Sequence, residues 1–141
     1  MDTEIEIKIT PIGAPIITYG IENNQAATIV LDVPCTLRFD LKLARGAHKI
    51  FIDFRNKKNE TPDMAVIIDS ISFGGITTDR MKWAGFYYPD YPEPWASTQV
   101  NLPQVHNSAT FLGWNGRWEL PFTTPIYTWI HKLENLGWLY E

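Results

Sequence analysis

From Glu4 to Phe73 the apolar side chains fall repeatedly on every second position. Ile5, Ile7 and Ile9 alternate with charged residues over Glu4–Ile9. Leu37, Phe39, Leu41 and Leu43 alternate with Arg38, Asp40 and Lys42, the cleanest two-residue period in the chain. Ile50, Ile52 and Phe54 alternate with Phe51 and Asp53. Ala65–Ile68 is apolar without a break, and Asp69–Phe73 alternates again. Successive strand side chains point to opposite faces, so this period predicts strands with one buried face. Ile16–Tyr19 and Ala27–Asp32 predict two shorter strands around a turn at Gly20–Gln25. Pro34 ends the second of them, and Ala44–Ala47 reads as a hairpin turn. Strands at intervals of 8–15 residues, separated by Pro, Gly and Asn, predict an all-β fold.

The stretch His48–Gly75 reads as one long hairpin, strand, polar loop and strand, closed by the turn dipeptide Gly74-Gly75. Its loop, Asn56–Asp63, is acidic and amide-rich. The character changes at Thr77. Gly85–Trp95 packs three prolines and five aromatic residues into eleven positions. Proline donates no ladder hydrogen bond, so this segment is expected to be an extended loop rather than a central strand. With the irregular Ala96–Thr110 it forms a long ordered arm over residues 77–110, and loops of that length usually have a role. Asn115-Gly116 between aromatic residues predicts a hairpin turn, with Trp118–Phe122 as the returning strand. Ile126–Leu133 has the spacing of a short helix but a β-branched and aromatic composition, which favours strand. Asn135–Gly137 reads as a turn and Trp138–Tyr140 as a closing strand.

Composition narrows this to a single domain of 141 residues with a core of its own, since 45% of the chain is hydrophobic. The net charge of −4 speaks against non-specific nucleic-acid binding, which needs a basic face. No apolar run approaches the roughly 20 residues of a membrane helix, and the acidic start MDTEIEIKIT is unlike a signal peptide. The expectation is a soluble product made in a cytoplasm. The one cysteine, Cys35, is expected to be a small buried residue.

Candidate chemistry centres on two stretches. Oxygen donors in the 56–63 loop suit Ca²⁺, with Asn56, Glu60 and Asp63 as candidates and Asp69 as an addition. The alternative is a solvated loop, because Lys57 and Lys58 oppose a cation. The aromatic arm offers Trp83, Tyr87, Tyr88, Tyr91 and Trp95 as flat surfaces for sugar rings, as anchors of a protein interface, or as packing for the arm itself. Trp114, Trp118 and Trp129 lie on predicted strands and are assigned to the core. An enzyme is not expected. The histidines His48, His106 and His131 are scattered, and no nucleophile elbow, P-loop or zinc-protease motif occurs. Asp90, Glu93 and Glu119 are the carboxylates from which a glycosidase pair would be drawn.

Lys49–Ile76, with the run Ile67-Ile68-Asp69-Ser70-Ile71, resembles the strand–loop–strand of calcium-dependent carbohydrate-binding modules of the xylan-binding type. That likeness implies a β-sandwich with an acidic calcium loop. Here Asn56-Lys57-Lys58-Asn59-Glu60 stands in its place. GFYYPDYPEPW and FLGWNGRWELPFTTPIYTWIHKLENLGW resemble small virion structural proteins of tailed bacteriophages. This second likeness, over residues 48–141, implies a non-enzymatic module in a capsid or tail, as a decoration or fibre-attachment subunit. The module would be made in the host cytoplasm and would contact other virion proteins or copies of itself through its arm.

The expected architecture is therefore a two-sheet antiparallel β-sandwich of jelly-roll type. The expected role is a virion structural module, or alternatively a carbohydrate-binding module for host-surface glycan, with or without calcium.

Overall fold

The computed structural model describes residues 2–22, 24–58, 63–77, 79–93 and 95–133. The expected turn at Asn135–Gly137, the expected strand Trp138–Tyr140 and the calcium candidate Glu60 lie outside these residues. Two antiparallel sheets face each other across one core, as the alternation predicts. In the first, β1 (Asp2–Ile12) pairs with β4 (Cys35–Lys42) on one side and β6 (Ala65–Phe73) on the other. Two short strands, β7 (Ile76–Thr77) and β10 (Phe111–Leu112), also pair with β6. The second sheet runs β3 (Asn24–Val30), β2 (Ile16–Ile21), β5 (Gly46–Phe54), β11 (Gly116–Thr124), β8 (Phe86–Pro89), β9 (His106–Asn107).

Ile5, Ile7, Leu37, Phe39, Ile71 and Phe73 from the first sheet meet Ile17, Ile50, Ile52, Phe54, Trp118, Leu120 and Phe122 from the second. Removing that apolar area from water is the main stabilising contribution, at about 25 cal/mol per Å². In β6 the buried set runs Val66, Ile68, then Ile71, Phe73. The change of parity is a bulge opposite Lys8 and Ile9, where β6 carries one residue more than β1.

Several local expectations are corrected. The 48–75 unit is not a hairpin, because β5 lies in the second sheet and β6 in the first. Both strands bury one face, but from opposite sides of the core, so the polar loop between them crosses from sheet to sheet. The Ala44–Ala47 segment likewise connects β4 to β5 across the sandwich. Asn115-Gly116 closes no hairpin either. Phe111 and Leu112 pair with Ile67 and Val66 in the first sheet, while β11 pairs with β5 and β8 in the second. Gly116 is needed there for close approach. A Cβ on it would lie 2.4 Å from the Tyr88 carbonyl oxygen.

Within the aromatic arm, Phe86–Pro89 is a strand between β11 and β9, not a loop. Its proline comes last, where the chain leaves the ladder. Cys35 is half-buried rather than buried.

Ile126–Leu133 is a helix, α2; α1 (Asp79–Lys82) is a single turn. Ile126, Trp129, Ile130 and Leu133 all pack against the core. This i, i+3, i+4, i+7 set outweighs the β-leaning composition. Trp129 lies against Phe73 (ring centroids 5.1 Å apart) and Phe122 (6.4 Å), so α2 covers one side of the core.

Candidate functional site

Strand register places the site. Gly116 pairs with Phe54 on one side and Pro89 on the other. The residues just beyond these three therefore emerge side by side at one end of the second sheet. They are Arg55–Lys58, Asp90–Pro92 and Trp114–Asn115, and all but Arg55 and Asn56 line an open cleft of about 440 Å³.

Asn115 ties the three segments together. Its Oδ1 accepts from Lys57 N (2.8 Å) and its Nδ2 donates to Lys57 O (3.0 Å). Its carbonyl accepts from Asp90 N (2.6 Å). An amide that donates to and accepts from the backbone of one residue leaves little freedom between the loops. Asn56 anchors the next connection, accepting from Ile16 N through Oδ1 (2.8 Å).

The aromatic wall comes from two loops. Trp95 and Trp114 stack, centroids 4.9 Å apart and 25° between planes. Tyr91 meets Trp114 edge-on at 5.4 Å. The Tyr91 hydroxyl donates to Pro103 O (2.6 Å) and so accepts at 2.8 Å from His106 Nε2. One hydroxyl proton cannot serve both, and a carbonyl can only accept. This bond pair holds the Tyr91 ring between the arm and the cleft. Burial pushes the Tyr91 phenol up, so it remains protonated at neutral pH.

Lys57 completes the wall. Its ammonium donates to Gly113 O and sits 5.3 Å from the Trp114 ring centroid, within cation–π range. Desolvation lowers its pKa, with the Asp63 charge opposing. Asp90 faces Arg55 at 3.4 Å, and Arg55 also lies 3.6 Å from Asp53. Asp53 in turn receives a two-point hydrogen bond from Arg117 (2.9 and 2.7 Å).

Of the five arm residues expected to form a binding surface, Tyr91 and Trp95 are at the cleft. Trp83 stands apart under Lys82, Tyr87 is fully buried, and Tyr88 lines a separate hollow with Lys49, Phe86, Glu119 and Pro121. Burial pushes the Tyr87 phenol well above its ordinary value, which suits a core residue. Trp114, assigned to the core, packs against it half-buried, but its ring also forms the cleft wall, which the sequence reading missed. Trp118 and Trp129 do pack in the core or against it.

The carboxylates weighed as a catalytic pair go separate ways. Asp90 faces Arg55, Glu93 accepts from Ser97, and Glu119 binds Lys49 at 3.0 Å.

The calcium candidates among the described residues, Asn56, Asp63 and Asp69, do not assemble. Asn56 holds the backbone at Ile16. Asp69 accepts from Thr10 at the β6 bulge. Asp63 acts on the Lys57 ammonium. Among the described residues no three His, Cys, Asp or Glu side chains cluster as metal ligands. Ca²⁺ takes six to eight oxygen ligands, and the described donor set does not fit it.

Two solved structures are similar to this chain in fold. One is vCBM60 in complex with galactobiose, at 15% identity and TM-score 0.53, covering 83% of this chain and 96% of that one. The other is the selenomethionine form of vCBM60, from work linking two families of calcium-dependent carbohydrate binding modules by circular permutation. It matches at 14% identity and TM-score 0.55, over 84% of this chain and 89% of that one. The chain has the fold of a carbohydrate-binding module. That fold agrees with the first resemblance read from the sequence, whereas the virion resemblance gains no support from either match. No family model and no curated protein sequence matches the chain.

Proposed function

We propose that this carbohydrate-binding-module fold is a non-catalytic glycan-binding domain whose site is the Trp114 cleft. The observation that carries the reading is the stacked Trp95–Trp114 pair beside fixed polar groups at an open cleft. Sugar C–H groups carry partial positive charge and are attracted to the electron-rich faces and rims of indole rings. The hydroxyls need donors and acceptors held in place, and Asn115, Lys57 and Asp90 are held by the contacts described above. Binding sites of this kind combine apolar walls with a few placed polar groups.

The reading works with the chain's own described groups and without calcium: Asn56 holds the backbone at Ile16, and the Lys57 ammonium, on which Asp63 acts, stands at the cleft. Isothermal titration against a panel of oligosaccharides, galactobiose among them, tests it in calcium and in chelator. The expected result is saturable one-site binding with equal affinity in both buffers, and equal thermal midpoints. A ligand of the native state alone raises the midpoint by mass action, so a calcium-raised midpoint would contradict the calcium-free site. Absence of binding to every member of the panel would contradict the function.

A further inference from the structure

Strand register also fixes what lies beside the cleft. Along β11, Trp118, Leu120 and Phe122 face the core, while Arg117, Glu119 and Pro121 face outward. The outward residues pair across the second sheet in rows. Arg117 stands between Tyr88 and Asp53, Glu119 between Phe86 and Phe51, and Pro121 beside Lys49. These rows start where the cleft residues Asp90 and Asn115 leave off. They lead to the hollow of about 170 Å³ lined by Lys49, Phe86, Tyr88, Glu119 and Pro121. We propose that this outer face continues the Trp114 cleft, so that the domain takes one oligosaccharide chain longer than a disaccharide, with its far end against Tyr88. The proposal rests on the glycan-binding reading above and names the ligand length that the same site prefers.

Three features support it. The hollow repeats the chemistry of the cleft, apolar walls beside polar groups held in place. A single exposed aromatic residue is ordinary on a surface. Tyr88, 41% exposed, instead shares one hollow with Phe86, Pro121 and the Lys49–Glu119 ion pair (3.0 Å). The ground between cleft and hollow is fixed. Asp90, Arg55, Asp53 and Arg117 form a chain of ion pairs at 3.4, 3.6 and 2.7 Å. The Arg117 guanidinium lies 4.4 Å from the Phe51 ring centroid, and Phe51 is buried although it is on the outer face. Side chains held in this way lose little freedom on meeting a sugar hydroxyl. The distance fits as well. Asn115 in the cleft and Pro121 in the hollow are six residues apart in sequence. A strand rises about 3.4 Å per residue, so roughly 20 Å separates them, more than a disaccharide spans.

The measurement is titration of the whole domain with the disaccharide and tetrasaccharide of two series, galactobiose with galactotetraose and xylobiose with xylotetraose. In each series that binds, the tetrasaccharide should bind about tenfold or more tighter. That exceeds the few-fold statistical gain from the extra registers a longer chain offers. Tyr88→Ala and Lys49→Ala should each bring the ratio down towards the statistical gain, and Trp83→Ala should keep it. In nitrogen–proton NMR spectra the backbone amides of Phe86, Tyr88 and Glu119 should shift with the tetrasaccharide and stay in place with the disaccharide. A gain no larger than the statistical one would overturn the extension and leave the cleft reading standing. A ratio that survives in both alanine variants, or Tyr88 and Glu119 amides that the tetrasaccharide does not move, would overturn the assignment to this face. Failure of all four sugars to bind would remove the binding reading and the proposal with it.

Discussion

Trp114→Ala should lower saccharide affinity by about 30-fold or more while leaving the domain folded. Buried or half-buried tryptophans at binding surfaces commonly cost 2 kcal/mol or more when truncated, about 30-fold in affinity. Trp114 is the hub of the site. It stacks on Trp95 at 4.9 Å, receives the Tyr91 edge at 5.4 Å and carries the Lys57 ammonium at 5.3 Å. Removing its ring takes away the cleft wall and frees three neighbours at once. It lies outside the fully buried set, so the fold should survive, which circular dichroism and the thermal midpoint would show. Trp83→Ala is the matched control, because Trp83 is exposed and lies away from the cleft. Unchanged affinity in Trp114→Ala would place the binding surface elsewhere.

The largest effect on stability is expected at Trp118. It is fully buried between the sheets, and its Nε1 donates to Ala109 O at 3.2 Å. Gly85 packs directly on the indole, where a Cβ would lie 2.2 Å from Nε1. Ala109 N in turn donates to Gly85 O at 3.1 Å. One core side chain thereby ties both ends of the aromatic arm to the sandwich. Trp118→Ala should cost about 3–5 kcal/mol, from lost transfer energy and the cavity left behind. For a domain of this size that lowers the thermal midpoint by roughly 10 °C or more. Trp118→Phe keeps most of the ring but leaves the Ala109 carbonyl without its donor, and should cost about 1–3 kcal/mol. A midpoint for Trp118→Ala equal to wild type would contradict this account of how the arm is held.

What the sequence made legible was the fold class and the identity of the buried faces. Alternation reports which side of a strand meets the core, and Ile5, Leu37, Ile50 and Trp118 all point inward as expected. Alternation does not report which sheet a strand joins. The 48–75 unit therefore read as a hairpin although its strands lie on opposite sides of the core. The bulge opposite Lys8 and Ile9 was not read from the unbroken apolar run Ala65–Ile68, and it places Asp69 against Thr10 rather than in a calcium loop. At 126–133 the β-branched composition misled, because burial on Phe73 and Phe122 decided for helix.

The site was half legible. Tyr91 and Trp95 stood out in a proline-rich segment. Trp114 lies on a predicted strand and so read as core alone, although its half-buried ring also walls the cleft. The missed signal was Asn115-Gly116: a residue next to that pair lies where a strand begins, not in its middle. Tyr87 failed in the opposite direction, since the proline after Tyr88 suggested a loop and hid a short strand that buries it.

The most direct test of the glycan cleft is a nitrogen–proton NMR titration of the domain with the tightest-binding oligosaccharide, followed through the tryptophan indole N–H signals. The account predicts that the Trp114 and Trp95 signals shift and saturate together, with the Lys57 and Asn115 amides. The Trp118 signal, buried and bonded to Ala109, should stay in place. Saturable binding that moves the Trp83 signal, or the amides around Tyr88 and Glu119, while Trp114 and Trp95 stay still would contradict it.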